Sequence, residues 1–215
     1  MKSALFIAGA ALLGARVVSA GDITATNSVP EVSETPAWAF YASVYGFLVP
    51  DSRDYVNPNF TADHGWLHLE ARYNYEALET GSLWVGYNFS FGEKLVFEVA
   101  PMLGGVFGNL TGVAPGYTFS LSYKRFALSS QGEYFCDAGD ASENFFYTWS
   151  ELTYSPWDWL RVGLAIQRTK AYQTDFDIQR GFLVGATYRK VDFTTYVFNL
   201  GWTDPTLVLA VGYSF

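Results

Sequence analysis

The sequence predicts an all-β protein, a closed antiparallel β-barrel that crosses a membrane. Three observations predict it. Apolar and polar residues alternate at period two in one segment after another. Aromatic residues reach 19% while charged residues are only 16%, against about a quarter charged in ordinary soluble domains. After the first twenty residues, no apolar run approaches the ~20 residues that a membrane helix needs. The chain is rich in apolar surface and never concentrates it into a helix.

The first twenty residues read as a secretory signal peptide, with Lys2, an apolar run over 4–14 and the small-residue site Val18-Ser19-Ala20. Residues 21–36 lack periodicity, contain Pro30 and Pro36, and read as a flexible periplasmic leader. The barrel is expected over 37–215. Losing Lys2 and Arg16 with the leader leaves 11 bases against 21 acids, a net charge of −10 that disfavours nucleic acid as a partner. Cys136 is the one cysteine, so no internal disulfide forms.

Strands are expected near 37–49, 66–77, 82–91, 95–105, 116–123, 126–135, 144–154, 159–168, 179–189, 192–200 and 206–215. In the second, Leu67, Leu69, Ala71, Tyr73 and Tyr75 oppose His68, Glu70, Arg72 and Asn74. In the third, Leu83, Val85, Tyr87, Phe89 and Phe91 oppose Trp84, Gly86, Asn88 and Ser90. In the eighth, Leu160, Val162, Leu164 and Ile166 oppose Arg161, Gly163, Ala165 and Gln167. Most run longer than the 5–6 residues usual for soluble strands and reach the ~9–11 that a membrane strand needs. A bilayer core cannot satisfy an open sheet edge, so the sheet must close.

Eleven strands is an odd number, and bacterial barrels use even ones. Counted back from the C-terminus, the connections alternate between long and short, as outer loops and periplasmic turns do. The expected long ones include 106–115, 136–143 and 169–178. That phase requires one more strand before residue 66, and residues 55–62 supply a weak one, weak because Pro58 cannot donate to a ladder. Twelve strands with both termini in the periplasm is the reading favoured. The alternative is ten strands with 37–62 as a tail or plug.

With its leader, its alternating strands and its terminal aromatic, the chain resembles bacterial outer-membrane β-barrel proteins, small and porin-like, with no single family indicated. The resemblance implies a Gram-negative outer-membrane location and insertion by the barrel-assembly machinery. Leu209, Val211, Tyr213 and Phe215 are similar to the terminal signal that this machinery reads.

The expected inward faces carry His68, Glu70, Arg72, Glu98, Gln131, Glu133, Glu151, Arg161, Gln167 and Asn199. Of these, Glu70, Arg72, Glu98, Glu133, Glu151 and Arg161 are the candidates for a lumen constriction. A twelve-stranded barrel is intermediate between filled and open ones, so paired charges could either plug the lumen or line a narrow channel. Arg168, Lys170 and Arg180 continue lipid-facing parity near one loop and are candidates for contact with lipopolysaccharide phosphates, or for simple snorkelling. The expected outer loops hold Asp51, Asp54, Glu79, Asp137, Asp140, Glu143, Asp175, Asp177 and Asp204, either as solvated surface or as a mouth attracting cations.

An outer-membrane lipid hydrolase would need a nucleophile and a base. His68 and Glu70 share a face about 7 Å apart, but Ser90 and Ser150 are not obviously placed beside them and no nucleophile motif occurs. No phosphate loop, zinc cluster or calcium loop is present, so no catalytic residue, metal or cofactor is assigned. The functional expectation is a narrow passive pore for small solutes or a largely closed structural barrel. The alternatives are a hydrolase using His68 and a surface-interaction barrel. The sequence does not fix oligomeric state.

Overall fold

In the computed structural model, residues 37–50, 53–171, 177–201 and 205–215 are described. The expected signal peptide and leader lie outside them. Thirteen strand segments follow in order: β1 (Ala39–Leu48), β2 (Tyr55–His64), β3 (Leu67–Tyr73), β4 (Thr80–Tyr87), β5 (Phe89–Phe91), β6 (Leu95–Gly108), β7 (Gly112–Tyr123), β8 (Phe126–Asp137), β9 (Phe145–Trp157), β10 (Leu160–Ala171), β11 (Asp177–Tyr188), β12 (Val191–Phe198) and β13 (Thr206–Ser214). Both β4 and β5 pair with β6 in one register, Gly86 opposite Met102 and Phe89 opposite Val99. They are one strand interrupted at Asn88, so the ring has twelve positions.

Each strand pairs antiparallel with its chain neighbours, and β1 pairs with β13 from Tyr41↔Ser214 to Leu48↔Leu207. That seam closes the barrel. The Phe215 N–H adds a bond to the Phe40 carbonyl at 3.0 Å. The chain enters β1 and leaves β13 at the same end. At that end the turns are tight: 65–66, 92–94, 124–125, 158–159 and 189–190. Lys124 and Arg189 open two of these turns at φ 53° and 56°, the left-handed region that two-residue hairpins demand. The strand ends joined by the remaining connections, β1 to β2, β3 to β4, β6 to β7, β8 to β9, β10 to β11 and β12 to β13, lie at the other end.

β2 is a full ten-residue strand despite Pro58. The β2–β3 ladder stops at Asn59↔Arg72, so the proline sits where pairing ends. Residues 106–115, expected as a ten-residue loop, are mostly ladder instead, β6 and β7 pairing as far as Val106↔Gly112. Of the expected loop 169–178, residues 169–171 and 177–178 are strand, β10 and β11 pairing as far as Thr169↔Asp177, and 172–176 lie outside the described residues. The stretch 155–158 is likewise mostly strand. Its Pro156 is absorbed by a bulge between Leu160 and Val162, and Arg125 Nη1 donates to the freed carbonyls of Ser155 (3.0 Å) and Pro156.

The outer wall is apolar, as the parity predicts. Leu83, Phe107, Leu164, Phe182, Val184 and Phe193 are all at least half exposed. Aromatic rings crowd its turn end, where stacked or tilted pairs run through Trp66, Tyr87, Phe89, Phe91 and Phe97. A continuous apolar belt of this size is a lipid-facing surface. We expect deletion of Phe215, which removes a seam hydrogen bond and an interfacial ring, to lower the folded fraction in lipid vesicles, read as loss of the heat-modifiable gel band.

Candidate functional site in the barrel interior

Strand parity turns His68, Glu70 and Arg72 of β3 inward together, and the lumen buries all three. Arg72 is the centre of the arrangement. Its Nη2 donates to Glu70 Oε2 at 2.8 Å and its Nη1 to Glu133 Oε2 on β8 at 3.0 Å. All three side chains are 1–2% exposed. The guanidinium also lies 4.2 Å from the Tyr75 ring and 4.4 Å from that of Trp84, cation–π contacts that gain strength when desolvated. Trp84 lies against β6 and β7 because those strands present glycine there: a Cβ at Gly104 would come within 2.5 Å of the indole, and one at Gly116 within 2.9 Å.

Around this network the loop-end half of the lumen is filled with rings. Tyr45 and Phe47 of β1, Phe135 of β8, Phe145, Tyr147 and Trp149 of β9, and Tyr196 and Phe198 of β12 are all buried and belong to one cluster. Trp149 meets Tyr196 and Phe198 edge-on at 5.2 and 5.1 Å. Parity along 66–77 puts Tyr75 on the lipid face, and the structure corrects this. β3 ends at Tyr73 and Asn74 takes φ 56°, so 74–79 folds into the barrel. Tyr75 then packs edge-on against Tyr147 at 5.7 Å and accepts a hydrogen bond from Gln131 at 2.8 Å. Sequence alternation could not reveal this residue or its buried neighbour Glu76, because both lie past the strand's end.

The other candidate charges are dispersed. Glu151 accepts from Trp149 Nε1 at 2.8 Å and from the Tyr196 hydroxyl at 2.9 Å. Arg161 reaches Thr194 at 2.5 Å and Asp192 at 3.6 Å. Glu98 lies near the turn end, is exposed, and accepts from Ser120 at 3.1 Å. Asn199 does not line the lumen; it caps the β11–β12 hairpin, its Oδ1 accepting from the Arg180 N–H at 3.4 Å. The turn-end half carries small polar residues, among them Ser43, Thr61, Ser90, Ser120 and Ser129. At the loop end a cavity of about 440 Å³ is lined by Phe47, Arg53, Asp54, Tyr55, Asn74 and Glu79 among others.

His68 bonds Asp63 through Nδ1 at 2.8 Å and approaches Glu70 through Nε2 at 3.6 Å. Ser150 lies on the opposite, outward face of the wall, bonded to Ser130 at 2.8 Å, and Ser90 pairs with Glu98 in the β5–β6 ladder. Among the described residues no His, Cys, Asp and Glu group has metal-site geometry. The loop acids serve local structure: Asp137 accepts from the N–H groups of Gly139 and Asp140, and Asp54 from that of Val49. Asp140 accepts from the Ser142 N–H, which holds its carboxyl below the usual range. Asp51, Asp175 and Asp204 lie outside the described residues.

Removing one member of a buried ion network strands the others, at a cost of about 3–5 kcal/mol. Arg72→Met should therefore destabilise the refolded barrel by that order in urea unfolding. Glu70→Gln/Arg72→Met/Glu133→Gln should recover most of the loss.

No family model and no curated protein matches the chain. Solved structures do. The KdgM porin aligns with TM-score 0.58 at 11% identity over 81% of this chain and 99% of its own, and a second structure of it, in complex with disordered oligogalacturonate, aligns equally. The NanC porin aligns with TM-score 0.57 at 12% identity, over 80% of this chain and 98% of its own. The likeness is one of fold: a small, closed, twelve-position antiparallel barrel.

Proposed function

We propose that the chain is a bacterial outer-membrane barrel acting as a narrow passive pore for small solutes, described here in its sealed state. One observation carries the reading: a charged, hydrogen-bonded network crosses the lumen between a polar half and a loop-end cavity. A buried ion network can be replaced by apolar side chains at equal or better stability. A barrel kept shut only for its own stability has no need of one. The fold likeness to two porins supports the same reading. On it, Glu70, Arg72 and Glu133 form the constriction, Glu98, Glu151 and Arg161 line the path on either side of it, and Arg53, Asp54 and Glu79 meet a solute at the mouth.

The tight turns face the periplasm, the longer loops face outward, and the barrel-assembly machinery reads Leu209, Val211, Tyr213 and Phe215. The hydrolase reading gains no support from His68, whose partners are the carboxylates of Asp63 and Glu70, with Ser90 and Ser150 lying elsewhere.

The near-complete burial of the aromatic cluster favours a second reading, a permanently closed structural barrel. Single-channel recording in planar bilayers separates the two. The wild type should be mostly silent with brief openings. Tyr75→Ala/Trp149→Ala, which thins the seal from both sides, should conduct steadily. A folded double variant that conducts no more than the wild type would leave the structural barrel standing.

A further inference from the structure

One sector of the outer wall departs from the rest. Among the described strand residues, the outward positions of β1–β9, β12 and β13 carry no Asp, Glu, Lys or Arg. β10 and β11 carry two: Arg168 and Arg180, both exposed. Arg168 is paired with Ile178 and Arg180 with Ile166, which makes the arginines diagonal neighbours on adjacent strands, about 7–8 Å apart at the backbone. Neither makes an ion pair with a described residue. Lys170 pairs with Phe146 in the same ladder, and its side chain lies outside the described residues.

Three small hydroxyl side chains lie beside them, of which Ser130 and Thr148 are buried and Ser150 is half-buried. Thr148 of β9 is paired with Arg168, Ser150 with Ile166, and Ser130 of β8 with Ser150. Ser130 and Ser150 are 2.8 Å apart, and the Tyr117 hydroxyl of β7 joins Ser130 at 3.3 Å. The Tyr117 ring lies over Gly132, where a Cβ would meet it at 2.8 Å, so the polar strip stays flat. The strip runs from β7 to β11, five strands or about 19 Å at the usual strand spacing.

A guanidinium on the lipid face is costly at the midplane and nearly free at the interface. Arg168 lies three residues before the end of β10 and Arg180 three after the start of β11, both at the loop end. A cation pair there with no carboxylate partner among the described residues suits a phosphate, which arginine binds in a bidentate fork. The hydroxyl strip continues away from the pair across three more strands. Its hydroxyls bond one another and are largely buried, so the two exposed arginines are what the wall offers to a headgroup, and with the loop end at the outer leaflet that headgroup is the phosphorylated saccharide of lipopolysaccharide.

We propose that this sector binds lipopolysaccharide, a phosphate of its headgroup resting on the exposed Arg168 and Arg180. The proposal rests on the reading that the loop end faces the outer leaflet. Two experiments keep the claims apart. Refolded wild type and Arg168→Gln/Arg180→Gln, each with its heat-modifiable band intact, are titrated with purified lipopolysaccharide and followed by native mass spectrometry. The wild type should bind about tenfold more tightly than the double variant, the scale of one lost charge-assisted contact. Dephosphorylated lipopolysaccharide should lose the same factor, and phosphatidylglycerol should not compete. Equal binding by the two proteins, or displacement by phosphatidylglycerol on equal terms, overturns the site. Orientation is read separately, by labelling Ala141→Cys in a Cys136→Ser background with an impermeant maleimide on intact cells. Absence of labelling overturns the orientation and the proposal with it. Labelling combined with unchanged lipopolysaccharide binding by the double variant overturns the lipid site alone.

Discussion

The ladder between β1 and β13 is the constraint on which every other feature depends. In hydrocarbon, each unpaired backbone N–H or C=O costs several kcal/mol, so a membrane sheet survives only with no edge. Here the first strand finds its partner in the last, from Tyr41↔Ser214 to Leu48↔Leu207. Antiparallel closure demands an even number of positions, which makes β2 indispensable despite Pro58. It also fixes the parity of every side chain. A one-residue slip at the seam would turn Leu207, Leu209 and Val211 into the lumen and Val208 and Ala210 into lipid.

Closure creates an interior that the chain must then fill. Arg72 organises it. The guanidinium is held by two carboxylates and two rings, and each holder is in turn positioned. Trp84 rests against Gly104 and Gly116 and donates to Ser82 at 2.9 Å. Tyr75 reaches the centre because Asn74 turns the chain inward, its N–H on the Thr80 carbonyl at 2.8 Å and its side chain on the Val56 carbonyl at 2.8 Å and the Glu79 N–H at 2.7 Å. A glycine at one site and an asparagine at another are therefore as much a part of the charged network as the charges themselves.

The sequence made the barrel legible because both of its environments obey one rule. Lipid outside and packed lumen inside impose strict alternation, and that alternation persists through Leu83–Trp84–Val85 as through Leu164–Ala165–Ile166. The same rule brought Glu70, Arg72 and Glu133 inward without saying that they meet. Residues 106–115 misread as loop because glycine and proline usually punctuate. Here Gly108, at φ 119°, ends β6 and Gly112 starts β7, so the connection is only 109–111, and Pro115 is carried within β7. Tyr75 misread as lipid-facing because a strand's parity ends where its ladder ends, at a left-handed Asn74 that no local periodicity marks. Lumen geometry depends on pairs far apart in sequence, such as Arg72 with Glu133, and these appear only once the register is known.

The two faces also decide where a charge finds its partner. Inside, partners come from the chain: Arg72 has Glu70 and Glu133, and Arg161 has Asp192 and Thr194. Outside, among the described residues, the outward faces of the strands next to Arg168 and Arg180 offer hydroxyls and no carboxylate. Glu76 is matched less closely, although Arg72 and Ser82 lie near it. It is fully buried in the seal, and neither of its carboxylate oxygens makes a hydrogen bond of good geometry. A buried polar group left so poorly matched subtracts from the stability of whatever holds it. The group that holds it is the loop 74–79, which also delivers Tyr75. The loop that brings Tyr75 to the Arg72 guanidinium therefore also carries a carboxyl matched less closely than Glu70 and Glu133 are.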